Sequence, residues 1–557
     1  MPVIEISRFD LEKLLGISLS DDQIEYYLPM LKCEIEEVDD DLIIYEATHD
    51  RPDLYSVEGL SRALRGVLGI ETELPIFNSK VEFFKCISDG PSYRPIALFA
   101  TVHNVRLDDE AIKQMMQLQE KLHTTYCRNR RKVSIGIYDL DKITPPIKYM
   151  GVKPEDASFV PLDMNNRLNL KEILEKHPKG IEYAHLVKDH EYFPLLIDSK
   201  GKILSFPPIV NSEDTKVDLD TKNLFIDVTS TDLQAAFKVL SIVATSLYER
   251  GDYIGLIKTV LKNNNEVVSP DLSYSIISVK KDIIERLLGV NIDSDKIIEL
   301  LGKMRFSASV ENDKEIQVKV PPYRADILHE VDIVEDILMA YGYDNVEPIM
   351  MRPLHPGREN GLEFFTRHIR ELLVGYGFQE VNNYMLTNKE VIFSKMGLEE
   401  QPVVEVKNPK QETYSCIRTW IIPQLIRVLS NSKHADYPQK IFEAGDVAIP
   451  DLESPNGVRE EKRLAIAMTD SKVSFTDIYA VLDSIMKKLN LKFILKRAVH
   501  RSFIKGRVAE ILVNKSNVGI IGEIHPEVLE KWDLKTPVVA AELNLGLIKE
   551  IYLKKNV

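Results

Sequence analysis

The sequence predicts a multidomain α+β protein, and three observations support this fold class. Its 557 residues are too many for one hydrophobic core, because cores stop growing at about 250–300 residues. Apolar residues make up 44% of the chain and charged residues 28%, as in ordinary globular proteins. Strand and helix patterns also change in kind along the chain, so we expect four domains.

The first two predicted domains both mix helices and strands. Residues 1–75 read as a small N-terminal α/β unit that ends in an amphipathic helix. The inner face of that helix is formed by Val57, Leu60, Leu64 and Val67. Residues 80–265 are mainly strands separated by turn signals, followed by one helix, and we take them as a mixed α/β domain. The inner face of this second helix is Ala236, Val239, Leu240, Val243 and Leu247.

The last two predicted domains differ in their order of elements. Residues 268–345 read as two helices, a hairpin and a further helix, which is a winged-helix-like arrangement; Ser278 can cap the first helix and Gly289 can end it. After the linker MRPLHPGRENG, residues 355–557 alternate helices with strands. That order predicts an α+β domain on an antiparallel sheet.

Charge and cysteine usage exclude several classes of protein. The formal net charge is −15, so contact with a nucleic acid must be local. No run of eighteen apolar residues occurs, and the first residues lack the layout of a signal peptide, so we expect a cytoplasmic protein without a membrane span. The four cysteines show no CxxC spacing and are expected to be buried apolar residues. They are Cys33, Cys86, Cys127 and Cys416.

The stretch PPYRADILHEVDIVEDI, residues 321–337, concentrates acidic residues without a balancing lysine. On a helix, Asp332, Glu335 and Asp336 are expected to share the face opposite the apolar stripe, and Asp326 precedes the helix. The predicted stripe is Leu328, Val331, Val334, Leu338 and Tyr341. Three interpretations stay open: a solvated face, a pair of catalytic carboxylates, or an oxygen site for a hard cation such as magnesium or calcium.

Several motifs resemble one family over essentially the whole chain. YRADILHEVDIVEDILMAYGYDNV is similar to the signature of the beta subunit of phenylalanyl-tRNA synthetase. THDRPDLYSVEGLSRAL, YCRNRRKVSIGIYDLDKI and VKNPKQETYSCIRTWIIPQLIRVLSNS resemble further segments of the archaeal form of that family. The resemblance implies that Asp326, Asp332, Glu335 and Asp336 bind Mg²⁺.

The resemblance also implies a division of labour between two subunits. Residues 355–557 resemble a class II synthetase core, yet KIFEAGDV lacks the usual F-R-x-E, and no arginine follows the glycines of VGIIGEIHPEV. Phosphoryl chemistry depends on such positive charges, so we expect a catalytically silent core in which Arg418 makes a structural ion pair. In the family, an alpha subunit uses ATP and phenylalanine to form the adenylate and assembles with beta as an (αβ)₂ heterotetramer that charges the tRNA for phenylalanine.

By the same resemblance, residues 80–265 form an editing domain that hydrolyses mischarged Tyr-tRNA. A pocket for phenylalanine rejects an added hydroxyl poorly, so a second site is needed. Polar residues at strand ends are the candidates for its lining, with turn capping as the alternative for each. They are Ser205, Asn211, Ser212, Asp227 and Thr229. We favour Asp227 and Thr229, because alternate residues of a strand point the same way.

A short basic run offers a candidate RNA contact within this acidic chain. Arg128, Arg130, Arg131 and Lys132 place four cations in five residues. They read either as a solvated loop or as a guide for the acceptor end of the tRNA. The alternative to an editing subunit is a scaffold or nucleic-acid-binding subunit that performs no chemistry.

Overall fold

The computed structural model describes residues 1–351, 355 and 357–556. The chain divides into two compact units, Met1–Met350 and Met351–Val557, each a mixture of helices and sheets. Residues 352–354 and 356 of the predicted linker, and residue 557, lie outside the described residues. The finer division into four domains stays a prediction.

The first part of unit one is a three-stranded antiparallel sheet in the order β1-β3-β2, with three helices. Its elements are β1 (Val3–Ser7), α1 (Arg8–Leu15), α2 (Asp21–Met30), β2 (Cys33–Val38), β3 (Leu42–Ala47) and α3 (Val57–Val67). Ser20 and Gln23 form a capping box at the start of α2, and Gly16 ends α1 in a left-handed conformation. Of the predicted face of α3, Val57, Leu60 and Leu64 are fully buried.

The middle part of unit one is built on a ten-stranded sheet, in the order β12-β11-β10-β7-β4-β14-β5-β13-β6 with β15 paired to β14. Its strands are β4 (Ser79–Asp89), β5 (Ile96–His103), β6 (Val133–Asp139), β7 (Lys148–Val152), β8 (Ser158–Phe159), β9 (Leu168–Asn169), β10 (Phe193–Ile197), β11 (Ile203–Phe206), β12 (Val210–Asn211), β13 (Asn223–Ser230), β14 (Tyr253–Leu261) and β15 (Glu266–Ser269); β8 and β9 pair separately. Its helices are α4 (Asp109–Thr124), α5 (Leu170–Lys176), α6 (Pro178–Tyr183) and α7 (Leu233–Tyr248). All five residues of the predicted inner face of α7 are buried, which confirms that prediction, whereas α4, α5 and α6 were not predicted.

The last part of unit one contains the predicted helices and hairpin with one additional strand. Its elements are β16 (Ser275–Lys280), α8 (Lys281–Leu288), α9 (Ser294–Lys303), β17 (Ser307–Asn312), β18 (Glu315–Val320) and α10 (Glu330–Tyr341). Gly289 ends α8 with a φ of 72°, as predicted. Ser278 was predicted to cap α8 but lies inside β16, which pairs with β18, so that prediction was wrong.

The register predicted for the acidic helix was also wrong. α10 begins at Glu330 behind the cap residue His329, so Leu328 precedes the helix and is 85% exposed. Val331 is 44% exposed, and Asp336 lies on the buried face. The buried residues of the helix are Ile333, Val334, Asp336, Ile337 and Met339. One continuous apolar cluster runs from the first sheet through α7 to α10, which packs the three parts of unit one together.

Unit two is built on a seven-stranded sheet in the order β19-β22-β23-β27-β26-β25-β24, antiparallel except for the β19–β22 pair. Its strands are β19 (Gln379–Glu380), β20 (Leu386–Thr387), β21 (Cys416–Ile417), β22 (Gln439–Pro450), β23 (Val458–Thr469), β24 (Phe493–Arg497), β25 (Phe503–Val513), β26 (Ser516–Ile524) and β27 (Val538–Asn544). Its helices are α11 (Gly361–Gly375), α12 (Lys389–Ile392), α13 (Ile422–Asn431), α14 (Phe475–Lys488), α15 (Pro526–Lys531) and α16 (Leu545–Asn556). Each face of the sheet has its own core: in β23, Leu464 and Ile466 enter one cluster, and Ala465 and Ala467 enter the other.

Two other predictions concern the chain as a whole. All four cysteines are free and buried, as expected. Within the described ranges, none of the helices is both long and apolar enough to cross a membrane.

Candidate functional site

A cavity of about 400 Å³ opens beside β6, β11 and β13 in the middle part of unit one. Antiparallel pairing places Gly136 of β6 directly opposite Asp227 of β13. A Cβ atom on Gly136 would lie 2.1 Å from the Tyr138 hydroxyl and 2.2 Å from Asp227 Oδ1. Only glycine therefore leaves this polar end of the cavity open.

The walls of the cavity differ in character. Apolar side chains of α4 form one wall, and the segment from β11 to β12 contributes further apolar side chains together with the polar Ser205 and Asn211. The apolar wall comprises Ile112, Met115 and Met116. Such a mixture of apolar surface with a few placed polar groups is typical of a pocket for a small organic group.

Three side chains form a hydrogen-bonded polar centre, which we define as Tyr138, Asp227 and Ser205. The Tyr138 hydroxyl lies 2.5 Å from Asp227 Oδ1 and 2.8 Å from Ser205 Oγ. Because a phenol carries one proton, an ionised Asp227 accepts that proton's hydrogen bond while Ser205 donates to the phenol oxygen. Asn211 stands at the edge of the centre, with its Oδ1 3.5 Å from the same hydroxyl.

The polar centre is almost completely buried, and this changes its acid–base behaviour. Burial raises the pKa of Asp227 to about 7, against the lowering effects of the Tyr138 hydrogen bond and the positive charge of Arg94. Burial and the Asp227 charge both raise the pKa of Tyr138 well above its ordinary value. Near neutral pH, the Asp227 carboxyl can therefore either accept or donate a hydrogen bond.

The structure separates Thr229 from Asp227, although sequence analysis paired them. Thr229 is buried but is not among the residues that line the cavity. Its Oγ1 accepts a hydrogen bond from Arg94 Nε at 2.9 Å, and its carbonyl oxygen accepts one from Arg94 Nη2 at 2.8 Å. Thr229 thus anchors Arg94 beneath the polar centre, and the prediction that it lines the pocket was wrong.

Ser212 lines the cavity and also caps a turn, which was the alternative interpretation of this residue. Its Oγ accepts a hydrogen bond from the backbone N–H of Asp214 at 3.3 Å, which caps a short helical turn. A residue of this kind supports the shape of the wall whether or not a ligand is bound.

The basic run splits into one buried arginine and three cations nearer to solvent. Arg130 is 7% exposed, pairs with Glu120 at 2.6 Å and donates to the carbonyl oxygens of Pro208 and Ile209. It therefore belongs to the cavity wall, and its predicted role as an RNA guide does not fit this position. We call the other three the exposed cations: Arg128 and Arg131 are exposed, and Lys132 is half-buried and pairs with Asp232 at 3.3 Å.

Backbone conformation accounts for this split. Arg128, Asn129 and Arg130 have φ values of 53°, 52° and 62°, so three successive non-glycine residues are left-handed. This conformation costs an arginine roughly 1–2 kcal/mol, whereas asparagine adopts it more readily. The turn directs Arg130 inward while its neighbours stay near the surface.

Tyr138, Glu120 and Arg94 were not singled out by sequence analysis. Tyr138 follows two residues after Gly136 in an otherwise apolar strand, and a glycine inside a strand indicates close approach of another group. Gly136 could therefore have indicated that a side chain of this strand, such as Tyr138, faces a pocket. Nothing in the sequence indicates that Arg94 reaches β13.

The four acids predicted to bind magnesium are each held by a partner within the protein. Asp326 and Asp336 both accept hydrogen bonds from the buried guanidinium of Arg324, at 2.6–2.9 Å. Asp332 Oδ2 accepts from the backbone N–H groups of Leu328 and His329, at 2.7 Å each.

Glu335, the fourth acid, pairs with Lys32 at 2.8 Å. Among the described residues, no three acidic, histidine or cysteine side chains lie close enough together to hold a metal ion. The predicted set therefore does not fit Mg²⁺ in this arrangement, because a guanidinium occupies the position between two of its carboxylates. One buried oxygen, Asp336 Oδ1, is left without a hydrogen-bond partner.

Electrostatics near Arg324 distinguish its two carboxylates. Although burial opposes ionisation, the charge of Arg324 lowers the pKa of Asp326 to about 2. Burial raises the pKa of Asp336 despite the same arginine. We therefore regard Asp326 as the permanently charged partner of Arg324.

Arg418 in unit two forms the internal ion pair that sequence analysis expected. It is 1% exposed, and its Nη1 lies 2.6 Å from Glu443 Oε1 and 2.6 Å from Gln424 Oε1. Its Nε donates to the carbonyl oxygen of Asp446.

Comparison with protein families gives three matches along the chain. The B3/4 domain matches residues 97–263, the tRNA synthetase B5 domain matches residues 277–343, and the phenylalanyl tRNA synthetase beta chain CLM domain matches residues 347–545.

Full-length relatives are similar over nearly the whole chain. A phenylalanine–tRNA ligase beta subunit of Thermofilum pendens is 48% identical, covering 100% of this chain and 99% of the relative. One from Pyrococcus abyssi is 41% identical, covering 98% and 99%. A crystal structure of an N-terminal fragment of the phenylalanyl-tRNA synthetase beta subunit from Pyrococcus horikoshii is 40% identical, with a TM-score of 0.58, and covers 61% of this chain and 100% of the fragment.

Proposed function

Because the chain belongs to the family of phenylalanine–tRNA ligase beta subunits, we propose that it works with an alpha subunit and removes tyrosine from mischarged tRNA for phenylalanine. The observation that carries the editing role is the cavity with its buried polar centre. The centre lies at the end of an otherwise largely apolar space, as recognition of a phenol requires.

Discrimination in this proposal depends on the substrate hydroxyl. Tyr138 engages Asp227 Oδ1, and we assign the other carboxylate oxygen, Oδ2, to the phenol of the substrate. A phenylalanine side chain would leave these buried polar atoms without its hydroxyl, which disfavours binding. The apolar wall of α4 would hold either ring, so it contributes affinity without selectivity.

Hydrolysis of the ester does not require a nucleophilic side chain in this proposal. The aminoacyl ester is already activated towards attack by water. The protein has only to hold the ester carbonyl in one orientation within reach of a water molecule. The exposed cations stand where the turn after α4 reaches the surface. We assign to them contacts with the phosphates of the tRNA acceptor end.

The remaining roles follow from the family. We propose an (αβ)₂ assembly in the cytoplasm, in which the alpha chain binds ATP and phenylalanine and the core of this chain is catalytically silent. A magnesium ion at the four acids of the α10 region is not supported by their pairing with Arg324, Lys32 and backbone N–H groups. Binding there would first have to displace these partners.

The test is deacylation of Tyr-tRNA by the complex with the alpha chain. We expect Ser205→Ala to slow deacylation at least about fivefold, since it removes a hydrogen bond of about 1 kcal/mol or more from a buried network. Asp139→Asn is the matched control, because Asp139 is a buried polar residue of β6 that bonds Thr221 and does not line the cavity.

The alternative of a scaffold without chemistry makes a different prediction. In that case neither variant changes the rate, and the complex deacylates Tyr-tRNA no faster than buffer does. Phenylalanine-dependent pyrophosphate exchange by the isolated chain would contradict the silent core.

A further inference from the structure

A second, much smaller cavity lies inside unit one, between its first and last parts. It is enclosed by α3, the end of α9 and the segment that follows β18. Its volume is about 10 Å³, which is room for one water molecule or one monoatomic ion. Phosphate, sulfate and organic anions are too large for it.

The lining of this cavity is strongly basic. Five of its eleven lining residues are basic and one, Asp53, is acidic. Arg51 and Arg62 come from the first part of unit one, and Arg305 and Arg324 come from the last part. All four arginines are 7% exposed or less, so water does not screen them from one another.

Each arginine already uses one side of its guanidinium for a carboxylate or a carbonyl oxygen of the protein, and one of these carboxylates, Asp53, belongs to the lining itself. Arg51 donates through Nε and Nη2 to Asp53, at 2.9 and 2.8 Å. Arg62 donates through Nη1 to the carbonyl oxygen of Thr245 at 2.9 Å and, more weakly, to Glu249 Oε1 at 3.4 Å. Arg305 donates through Nη1 and Nη2 to Glu71.

The other sides of these guanidiniums are buried without partners. The unpartnered atoms are Arg51 Nη1, Arg62 Nε, Arg62 Nη2 and Arg305 Nε. Leaving a buried donor unsatisfied costs about 1–3 kcal/mol, and more for a charged group. Four such atoms on three residues of one cavity point to an occupant that accepts hydrogen bonds.

The charges of the lining favour an anion over water. A guanidinium can only donate, while a water molecule accepts about two hydrogen bonds and must place two protons of its own. Burial and the neighbouring charge of Arg324 both act to lower the pKa of Arg51, although Asp53 keeps it above its ordinary value. An anion would satisfy the donors and offset this repulsion together.

We propose that this cavity binds a single halide ion, chloride under ordinary conditions, which joins the first and last parts of unit one. Backbones already approach closely at this junction: a Cβ on Gly66 of α3 would lie 2.2 Å from the carbonyl oxygen of Lys303 in α9. The ion accepts hydrogen bonds from Arg51 and Arg62 on one side and from Arg305 on the other. It thereby stabilises the junction without taking part in tRNA chemistry.

The first test is thermal unfolding of the full chain while sodium chloride is replaced by sodium gluconate at constant ionic strength. We expect the midpoint of unit one to rise by a few degrees with chloride and then level off, because a ligand that binds only the folded state stabilises it until the site is saturated. Arg62→Met should remove this chloride-specific rise. Arg250→Lys should keep it, because Arg250 is similarly buried, pairs with Asp10 and Glu58, and does not line the cavity.

The second test needs no variant and holds even if Arg62→Met fails to fold. Crystals of the full chain grown in sodium bromide should give an anomalous scattering peak inside this cavity, within hydrogen-bonding distance of Arg51, Arg62 and Arg305. A water molecule or no density there in bromide would overturn the proposal. So would an unfolding midpoint that is equal in chloride and gluconate, or a chloride dependence that Arg62→Met leaves unchanged.

Discussion

Replacing Asp227 by asparagine should change how the stability of unit one depends on pH. The pKa of Asp227 is raised from 3.8 to about 7 by burial, so between these values the folded state binds more protons than the unfolded state. Stability therefore falls as pH rises through this window, by at most about 1.4 kcal/mol per pH unit. Over about three units the loss is on the order of 4 kcal/mol.

Asp227→Asn removes this dependence because asparagine does not ionise. Its side-chain oxygen can still accept the Tyr138 hydrogen bond, so the loss of native contacts should cost only about 1 kcal/mol. We expect the variant to be less stable than the wild type at pH 4 and more stable at pH 8. Deacylation of Tyr-tRNA should be lost at both values.

The assay is urea unfolding from pH 4 to 8, with hydrogen exchange of the β6 and β13 amides reporting unit one. Both tryptophans, Trp420 and Trp532, lie in unit two, so their fluorescence follows that unit as an internal control. Parallel pH profiles for wild type and Asp227→Asn would refute the assignment of a raised pKa. Tyr138→Phe should extend the upper end of the window to higher pH, because the phenol's hydrogen bond lowers the pKa of Asp227 in the folded state.

Three further predictions concern the cavity, α10 and the basic turn. Gly136→Ala should lower deacylation about 100-fold with phenylalanine charging intact, because its Cβ would meet Asp227 at 2.2 Å; unchanged deacylation would rule out binding at the polar centre. Asp332→Ala should cost about 1 kcal/mol as the loss of a helix cap, equally in Mg²⁺ and in EDTA, and a cost seen only with Mg²⁺ would restore the metal interpretation. Glutamine at all three exposed cations should weaken tRNA binding and flatten its salt dependence by roughly 0.7 per lost phosphate contact. Lys176→Gln, at an exposed lysine of α5, should do neither.

Local signals in the sequence predicted several elements well. The inner face of α7 follows from apolar spacing alone, and Gly289 ends α8 because a left-handed residue is needed there. Asp227, Ser205 and Asn211 were placed near one another from strand-end polarity, and all three line the cavity. In these cases the determining interaction lies within a few residues along the chain or within one sheet.

Other predictions failed where helix capping, backbone conformation or charge pairing decides the outcome. The apolar spacing around Leu328 suggested a buried stripe, but the His329 cap moved the start of α10 beyond it. Asp336 was expected to face solvent, yet Arg324 makes its burial tolerable by supplying a charge-assisted hydrogen bond. Arg130 was grouped with its neighbours, although three left-handed residues turn it towards Glu120.

The sequence by itself determined the family, many of the elements and four polar residues of the candidate pocket, because motifs and periodicities are local properties. Only the tertiary structure decided which charges meet. Gly136 faces Asp227 through sheet register, Arg94 reaches Thr229 across 135 residues of chain, and Arg62 meets Arg305 at a cavity between two parts of unit one. The physical reason is that burial and pairing energies depend on distances in space, which spacing along the chain does not contain.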